Sequence, residues 1–466
     1  MSINSRVFIG MMIFFASFQL YMARSNFSMA ILAMMKSDED AQVKNYGKRF
    51  DWSKKQEGEL QGAYFWGFLF TSLPGGFLAH YFGPKKVCFI SMLLSTIFTI
   101  LSPMAANISY TMIYTARFLI GFVGGPLLPC LHHLIANWAP PVEKGKFIIL
   151  IEGTAVAIIV TWQMVGALTE AMGYAWGAFY IPAILMLLMI AGWMFLIYDS
   201  PEKHPRISAE EKEYISSSLA GSITNSVGLP PIKAIFTSIP FLALICLHYG
   251  AHWMLFLYIT SIPKFMKEVL NFDLSSAGFL SSLPTIARFG TSLIFAPLGD
   301  FLRRRELMTV THIRKYFTMT SHIIPGVLII VMGFVDDAYI SVAILTLLYG
   351  FNGSSTVTNM QNCQDLAPNY AGTLYGIMNT FTTTAGFIAP MVVAHFTEDD
   401  NSLGSWKNVF VVTACIFFFT AITFVIFGSG EIQPWNDVQK LKKVNEEEDT
   451  DDTPTFERST LEQNQA

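Results

Sequence analysis

The chain has 466 residues, 52% of them hydrophobic and only 14% charged, with a mean hydropathy of +0.44. Soluble domains carry about a quarter of their residues charged, so this composition excludes a disordered chain, a coiled coil and a nucleic-acid binder, and argues against an ordinary cytosolic enzyme. The net charge of −4 belongs to the end of the chain, since residues 431–466 alone hold ten acidic and four basic side chains.

A bilayer core about 30 Å thick is crossed by roughly 20 apolar residues of helix. Twelve such windows follow one another, at about 7–34, 58–79, 87–106, 110–134, 147–169, 176–197, 240–262, 275–297, 316–335, 339–361, 372–395 and 408–428. The first reads as a retained span, because it outruns a signal h-region and has no small-residue cleavage site before a polar start. An even number of spans puts both ends on one side. With the termini taken as cytoplasmic, eighteen Lys and Arg fall in inside loops and ends and nine in outside loops, which supports that orientation. The remaining three, Arg24, Arg117 and Arg288, lie within windows. The five cysteines sit in or beside apolar stretches, with neither a disulfide framework nor a zinc spacing.

The polar segment 199–238 separates six windows from six, and its Ser208-Ala-Glu-Glu211 is a capping-box pattern that opens a short helix to about Leu219. The two sets echo each other. Gly76-Phe-Leu-Ala-His80-Tyr-Phe-Gly83-Pro-Lys85-Lys86 follows the second window and Ala296-Pro-Leu-Gly-Asp300-Phe-Leu-Arg303-Arg304-Arg305 the eighth. Ala139-Pro140 and Ala367-Pro368 follow the fourth and tenth. The expected organisation is a first six-helix half at 1–198, a cytoplasmic linker at 199–238, a second half at 239–430 and a disordered acidic tail at 431–466. Duplicated halves with a site near the midplane between them are a known construction of secondary transporters.

Small-residue turns ending in basic residues after spans two and eight resemble the signature loop of the major facilitator superfamily. Further pieces resemble solute carrier family 17, which includes sodium–phosphate cotransporter-like proteins, sialin and the vesicular glutamate transporters. They are Tyr21-Met-Ala-Arg24-Ser-Asn26-Phe-Ser28, Leu73-Pro74-Gly75-Gly76, Arg117-Phe-Leu-Ile-Gly121, Trp138-Ala-Pro140-Pro141-Val-Glu143-Lys144, Ser200-Pro-Glu-Lys-His204, Phe279-Leu-Ser-Ser-Leu-Pro284, Asp365-Leu-Ala-Pro368-Asn-Tyr-Ala-Gly372, and Gly430-Glu431 with Trp435. They run in family order over about residues 6–436. The resemblance implies an all-α membrane protein of twelve transmembrane helices in two pseudo-symmetric halves.

An ionisable group inside a span costs about 3 kcal/mol and needs a reason. Arg117 lies too deep for a loop residue, one turn before the small-xxx-small pair Gly121 and Gly125. Its guanidinium suits either a two-bond contact with an oxyanion or a structural pair with a neighbouring helix, and the resemblance implies the anion site. Arg24 could snorkel to the outer interface; the resemblance implies that it lines the site together with Asn26. Arg288 has no counterpart in the family pattern and reads as an anion contact or as a partner of an acid or a carbonyl. Glu152 is the candidate coupling acid, because the family's span-four acid is replaced by Gly124; the competing reading is a counter-ion to Lys144 or Lys146. His248 and His252 share one face of span seven without a further metal ligand, and read as cavity or packing groups. Asn362 and Asn379 are candidates for substrate contact or helix bracing, and His80, Asp300 and Arg303 for gating between the halves.

The expected function is secondary active transport of organic or inorganic anions by alternating access, with a proton or sodium ion coupled. The alternatives are a non-transporting sensor or scaffold on the same fold and an uncoupled anion uniporter. Gly124, Gln61 and Ala251 each depart from the vesicular glutamate transporters. No enzyme motif and no cofactor are expected. The partners are a small anion and the lipid bilayer, without nucleic acid, and the chain is taken as a monomer. The plasma membrane is favoured, with a lysosomal or vesicular membrane as alternatives.

Overall fold

The long apolar windows become helices because only an internally hydrogen-bonded backbone is tolerated in hydrocarbon. The computed structural model describes residues 4–36, 46–72, 74–140, 143, 147, 150–151, 153–220 and 230–436. Among these residues, eleven helices are long and apolar enough to cross a membrane. They are α1 (Ser5–Met34), α3 (Pro84–Ile108), α4 (Tyr110–Trp138), α5 (Gly153–Met172), α6 (Ala175–Leu196), α7 (Ile239–Val269), α8 (Leu274–Arg304), α9 (Val310–Met332), α10 (Ala338–Leu366), α11 (Pro368–Phe396) and α12 (Leu403–Phe427). The second window is α2 (Lys54–Ser72), more polar because Lys54, Lys55, Glu57 and Glu59 fill its first turns. After Pro74 the chain continues as the short helix Gly75–Phe82. The expected tail from 437 onward lies outside the described residues.

Helix starts follow the sequence signals. The side chains of Ser109, Asp273, Thr309, Asp337 and Ser402 each accept from a backbone N–H three residues on, at the N-termini of α4, α8, α9, α10 and α12. The bundle end that carries the start of α1 and the close of α12 is the inner end; the opposite end is the outer one.

The linker helix Ala209–Ala220 starts where expected, with Glu211 N–H donating to Ser208 Oγ at 3.1 Å. Its docking was not foreseeable. The Glu211 carboxylate accepts from the backbone N–H of Ser5 at 2.9 Å and of Arg6 at 3.1 Å, so the linker caps the open N-terminus of α1. At the other terminus, residues 428–436 fold back over the inner ends of α9 and α10. Gly430 N–H donates to Thr311 Oγ1 at 2.9 Å and Gln433 N–H to the Leu366 carbonyl at 2.8 Å, while Trp435 is buried.

Large apolar side chains remain on the outside, among them Leu188, Phe195, Phe419 and Ile426, each at least 61% exposed. Such a belt is costly in water and is what a bilayer covers.

Candidate functional site

The site begins with glycines. A Cβ on Gly121 would lie 1.8 Å from the Tyr64 carbonyl oxygen, and one on Gly67 would lie 2.0 Å from the Phe118 carbonyl oxygen. A Cβ on Gly125 would lie 2.2 Å from Thr71 Oγ1 and 2.9 Å from the Phe68 carbonyl oxygen, so α2 and α4 cross with their backbones almost touching. That approach inserts the fully buried Tyr64 between Arg24 of α1 and Arg117 of α4. The two guanidinium carbons lie 4.9 and 5.4 Å from its ring centroid. Gly121→Ala must therefore part α2 from α4 and displace Tyr64. We expect it to lower thermal stability and transport together, since overpacking costs about 1–3 kcal/mol even in softer surroundings. Gly76→Ala is the control, because nothing lies within 4 Å of the added methyl; equal melting temperatures for the two variants would contradict the packing argument.

Arg117 is 2% exposed and donates from Nη1 to the Ala23 carbonyl at 3.2 Å, with its plane over Phe27 at 4.3 Å. Arg24 is 4% exposed and has not snorkelled to an interface. It is held among the rings of Tyr21, Tyr64, Phe65 and Phe68, at 4.5 to 5.2 Å, and faces Phe256 of α7 at 5.8 Å. Among the described residues, neither arginine is in an ion pair. Both Nε atoms are buried without a hydrogen-bond partner. A buried cation without a counter-ion is expensive, and ring faces offset only part of that cost.

Across the bundle, Arg288 of α8 is half-buried, donates from Nε to Asn352 Oδ1 at 3.3 Å and lies 5.7 Å from the Tyr349 ring. Among the described residues it pairs with an amide oxygen and with no acid. Tyr349 stacks on Tyr258 at 4.2 Å, and Tyr258 meets Trp162 of α5 at 5.3 Å, so an aromatic ladder ties α10 and α7 to the first six helices. His248 and His252 stand ring against ring at 4.1 Å on α7. No group of three potential metal ligands occurs among the described residues.

The other expected site residues lie elsewhere. Asn26, two positions past Arg24, points to α6 and donates to the Ala178 carbonyl at 2.9 Å. Asn362 braces the inner end, donating to the Ser429 carbonyl at 2.9 Å. Asn379 is half-buried on α11, where its carbonyl accepts from the hydroxyls of Thr382 and Thr383. Glu152 lies outside the described residues.

The two sets of helices meet at their outer halves. Trp66 of α2 stacks on Phe387 of α11 at 3.9 Å, and Gln163 of α5 donates to Ser282 of α8 at 2.9 Å. Charges close the rim: Lys264 pairs with Glu57 at 2.7 Å, Lys54 with Glu268 at 3.1 Å, and Lys267 donates to the Leu32 carbonyl at 3.0 Å. At the inner end every described ion pair stays within one set. Arg6 meets Glu143 and Glu211, Lys203 meets Asp199, and Asp365 joins Arg303 to Arg314. The expected gate residues therefore do not meet across the seam in this state. His80 is exposed with its ring 6.4 Å from His133, Asp300 is exposed, and Arg303 reaches only Asp365. The bundle is shut outside, while at the inner end the contact across the seam is the ring pair His132–Tyr375 at 6.3 Å and no described ion pair.

Two cations counted as loop residues in the sequence are inside helices. Lys264 closes the regular part of α7 and Arg314 stands in the first turns of α9; they are 4% and 3% exposed. Charged helix ends look like loops when windows are drawn by apolarity, because the pairing that lets them be buried comes from distant residues. Tyr64 gave no signal at all. One tyrosine in an apolar window reads as a lipid-facing residue until its neighbours are known.

These features define a multi-pass membrane transporter of the two-half type. A sequence profile of the Major Facilitator Superfamily matches residues 13–390. Human sialin (Homo sapiens) is 30% identical over 93% of this chain and 91% of its own length. Human vesicular glutamate transporter 2 (Homo sapiens) is 29% identical over 90% of this chain and 73% of its own. Among solved structures, the nucleoside transporter NupG superposes with a TM-score of 0.63 at 14% identity, over 91% of this chain and 99% of that one. A bacterial homologue of the human lysosomal transporter Spinster, inward-facing and unoccupied, gives 0.64 at 12% identity, over 91% and 97%. The chain belongs to the major facilitator superfamily and, within it, to solute carrier family 17.

Proposed function

We propose that this protein is a secondary active transporter of small organic or inorganic anions, working by alternating access, with a proton as the coupling ion ahead of sodium. The observation that carries the reading is the Arg24–Tyr64–Arg117 cluster, two buried guanidiniums that have no carboxylate between or beside them among the described residues. Arg117 can turn its unpartnered Nε edge to an oxyanion while Nη1 keeps its hold on α1. The shut outer end, and an inner end without a described ion pair across the seam, support one of the two states that alternating access requires. Kinship with sialin and the vesicular glutamate transporters supports an anionic substrate.

The loss of the family acid at Gly124 favours a second reading, uncoupled anion flux. A Cβ there would stand 3.3 Å from the Tyr64 hydroxyl, so a carboxylate at that position would face the cluster. Purified protein in proteoliposomes separates the readings, with phosphate, urate, sialic acid, glutamate and nucleotide as candidate anions. A coupled transporter accumulates one of them down a proton or sodium gradient. A uniporter equilibrates it without accumulation, and a sensor or scaffold moves none.

A further inference from the structure

We infer that Arg288 on α8, aimed by Asn352 on α10, is an oxyanion subsite of the last six helices, taking a carboxylate, phosphate or sulfate group; this deepens the anion-transport reading above and rests on it. The subsite repeats the Tyr64–Arg117 arrangement with the two side chains exchanged between helices. In the first six helices α2 carries the tyrosine, and α4 carries the arginine four residues before Gly121, where a Cβ would meet the Tyr64 carbonyl. In the last six, α8 carries Arg288, and α10 carries Tyr349 four residues before Gly353, where a Cβ would lie 2.7 Å from the Arg288 carbonyl oxygen. A second contact repeats beside the first. Gly67, three residues after Tyr64, packs on the carbonyl of Phe118, which follows Arg117. Thr291, three residues after Arg288, donates at 2.6 Å to the carbonyl of Gly350, which follows Tyr349. The guanidinium-to-ring distances also agree, 5.4 Å in the first pair and 5.7 Å in the second.

Arg288 faces the bundle interior. With Ser281 and Thr285, both buried, it makes one face of α8 at i, i+4 and i+7. Phe279, Ile286 and Leu293 stand exposed on the opposite, lipid-facing side. An arginine on the inner face of a span, with no acid to answer it among the described residues, is placed for a ligand that carries the opposite charge.

Asn352 is the positioning residue. It is 2% exposed, and its Nδ2 donates at 3.2 Å to the Ser321 carbonyl of α9, a group that can only accept. Its Oδ1 is therefore the atom that takes the Arg288 Nε–H. Ser321 lies in the π-helical stretch Met319–Ile323, a form that recurs at functional sites. The guanidinium is thus held by Nε alone. Among the described residues neither Nη atom has a hydrogen-bond partner, and both remain accessible. Two coplanar donors held from behind match an oxyanion through two parallel bonds. The holder is neutral, so it aims the charge without cancelling it, which an acid at the same position would do.

The test uses the purified full-length protein with phosphate, L-glutamate and N-acetylneuraminate as probes. Calorimetry measures their binding, and melting temperatures are recorded without them. Asn352→Asp keeps the size of the side chain and sets a carboxylate against Arg288. It should weaken binding of any probe that wild type holds by at least about tenfold, because the internal carboxylate competes for the guanidinium. The melting temperature without anion should hold or rise, since an ion pair replaces an amide contact. An Arg288–Asn352 pair that only braces α8 against α10 gives the same melting behaviour with no loss of affinity. Arg288→Gln removes the charge itself, should weaken binding by a similar factor, and decides the matter if Asn352→Asp does not fold. Wild-type affinity in either folded variant, with Arg117→Lys still weakened, overturns the assignment and leaves the anion reading standing. If wild type binds none of the three probes at millimolar concentration, the anion reading falls and this one falls with it.

Discussion

At matched expression, Arg117→Lys should weaken apparent anion affinity about ten- to a hundredfold although it keeps the charge. The guanidinium does three things at once. Nη1 holds the Ala23 carbonyl at 3.2 Å, the plane covers Phe27 at 4.3 Å, and the Nε edge is buried without a hydrogen-bond partner. A lysine ammonium is a point donor on a flexible stem and cannot hold α1, lie flat on the ring and present a planar edge together. Losing one charge-assisted hydrogen bond costs about 1.5–3 kcal/mol, which is the range quoted. Turnover at saturating anion should fall less than affinity, because the remaining charge still answers the substrate. Wild-type affinity in Arg117→Lys, measured by uptake over a concentration series, would take Arg117 out of the anion site.

The arginines were legible in the sequence because a cation in hydrocarbon demands an explanation whatever its neighbours are. What Arg117 faces was not, since Tyr64 is brought to it only by the close crossing at Gly67, Gly121 and Gly125. Twelve windows could be drawn because apolar length is a local property. α2 was the most weakly marked, as its outer turns trade apolarity for charges that pair with α7. Asn26 illustrates the opposite limit. It sits in the same motif as Arg24, but a helix turns 100° per residue, so two positions on it faces α6 instead. The motif joined them in sequence, and the helix separated them in space. For Asn362 polarity alone leaves substrate contact and helix bracing open, and the structure shows bracing. Its partner, the Ser429 carbonyl, lies 67 residues away on a segment that folds back only after α12 has been placed.

Glu57→Gln and Lys264→Met should each shift the protein towards a state open at the outer end. Their ion pair joins α2 to α7 at 2.7 Å with both side chains about 5% exposed, so it exists only while the outer halves are together. Removing one partner leaves the other charge buried without its nearest counter-ion, a loss of up to about 3–5 kcal/mol to the closed arrangement and smaller in Glu57→Gln, where Glu268 still acts on Lys264. An outer end that parts lets water reach the remaining charge, so the open arrangement does not bear that loss. The equilibrium therefore moves by a large factor in one direction. The neighbouring Lys54–Glu268 pair is more exposed, and breaking it should matter less. A cysteine at Thr260, whose carbonyl accepts from Gln61 across the same seam at 3.3 Å, reports the opening by its reaction with an impermeant maleimide. In a background with the five native cysteines replaced, labelling from outside should accelerate at least about tenfold in either single variant. The double variant Glu57→Gln with Lys264→Met leaves no orphaned charge and should fall back towards the parent rate, giving a coupling energy of opposite sign to the single effects. Equal labelling in the parent and both single variants would mean that the pair seals nothing, and that the stacked Trp66 and Phe387 with the glycine-lined seams hold the outer end shut without it.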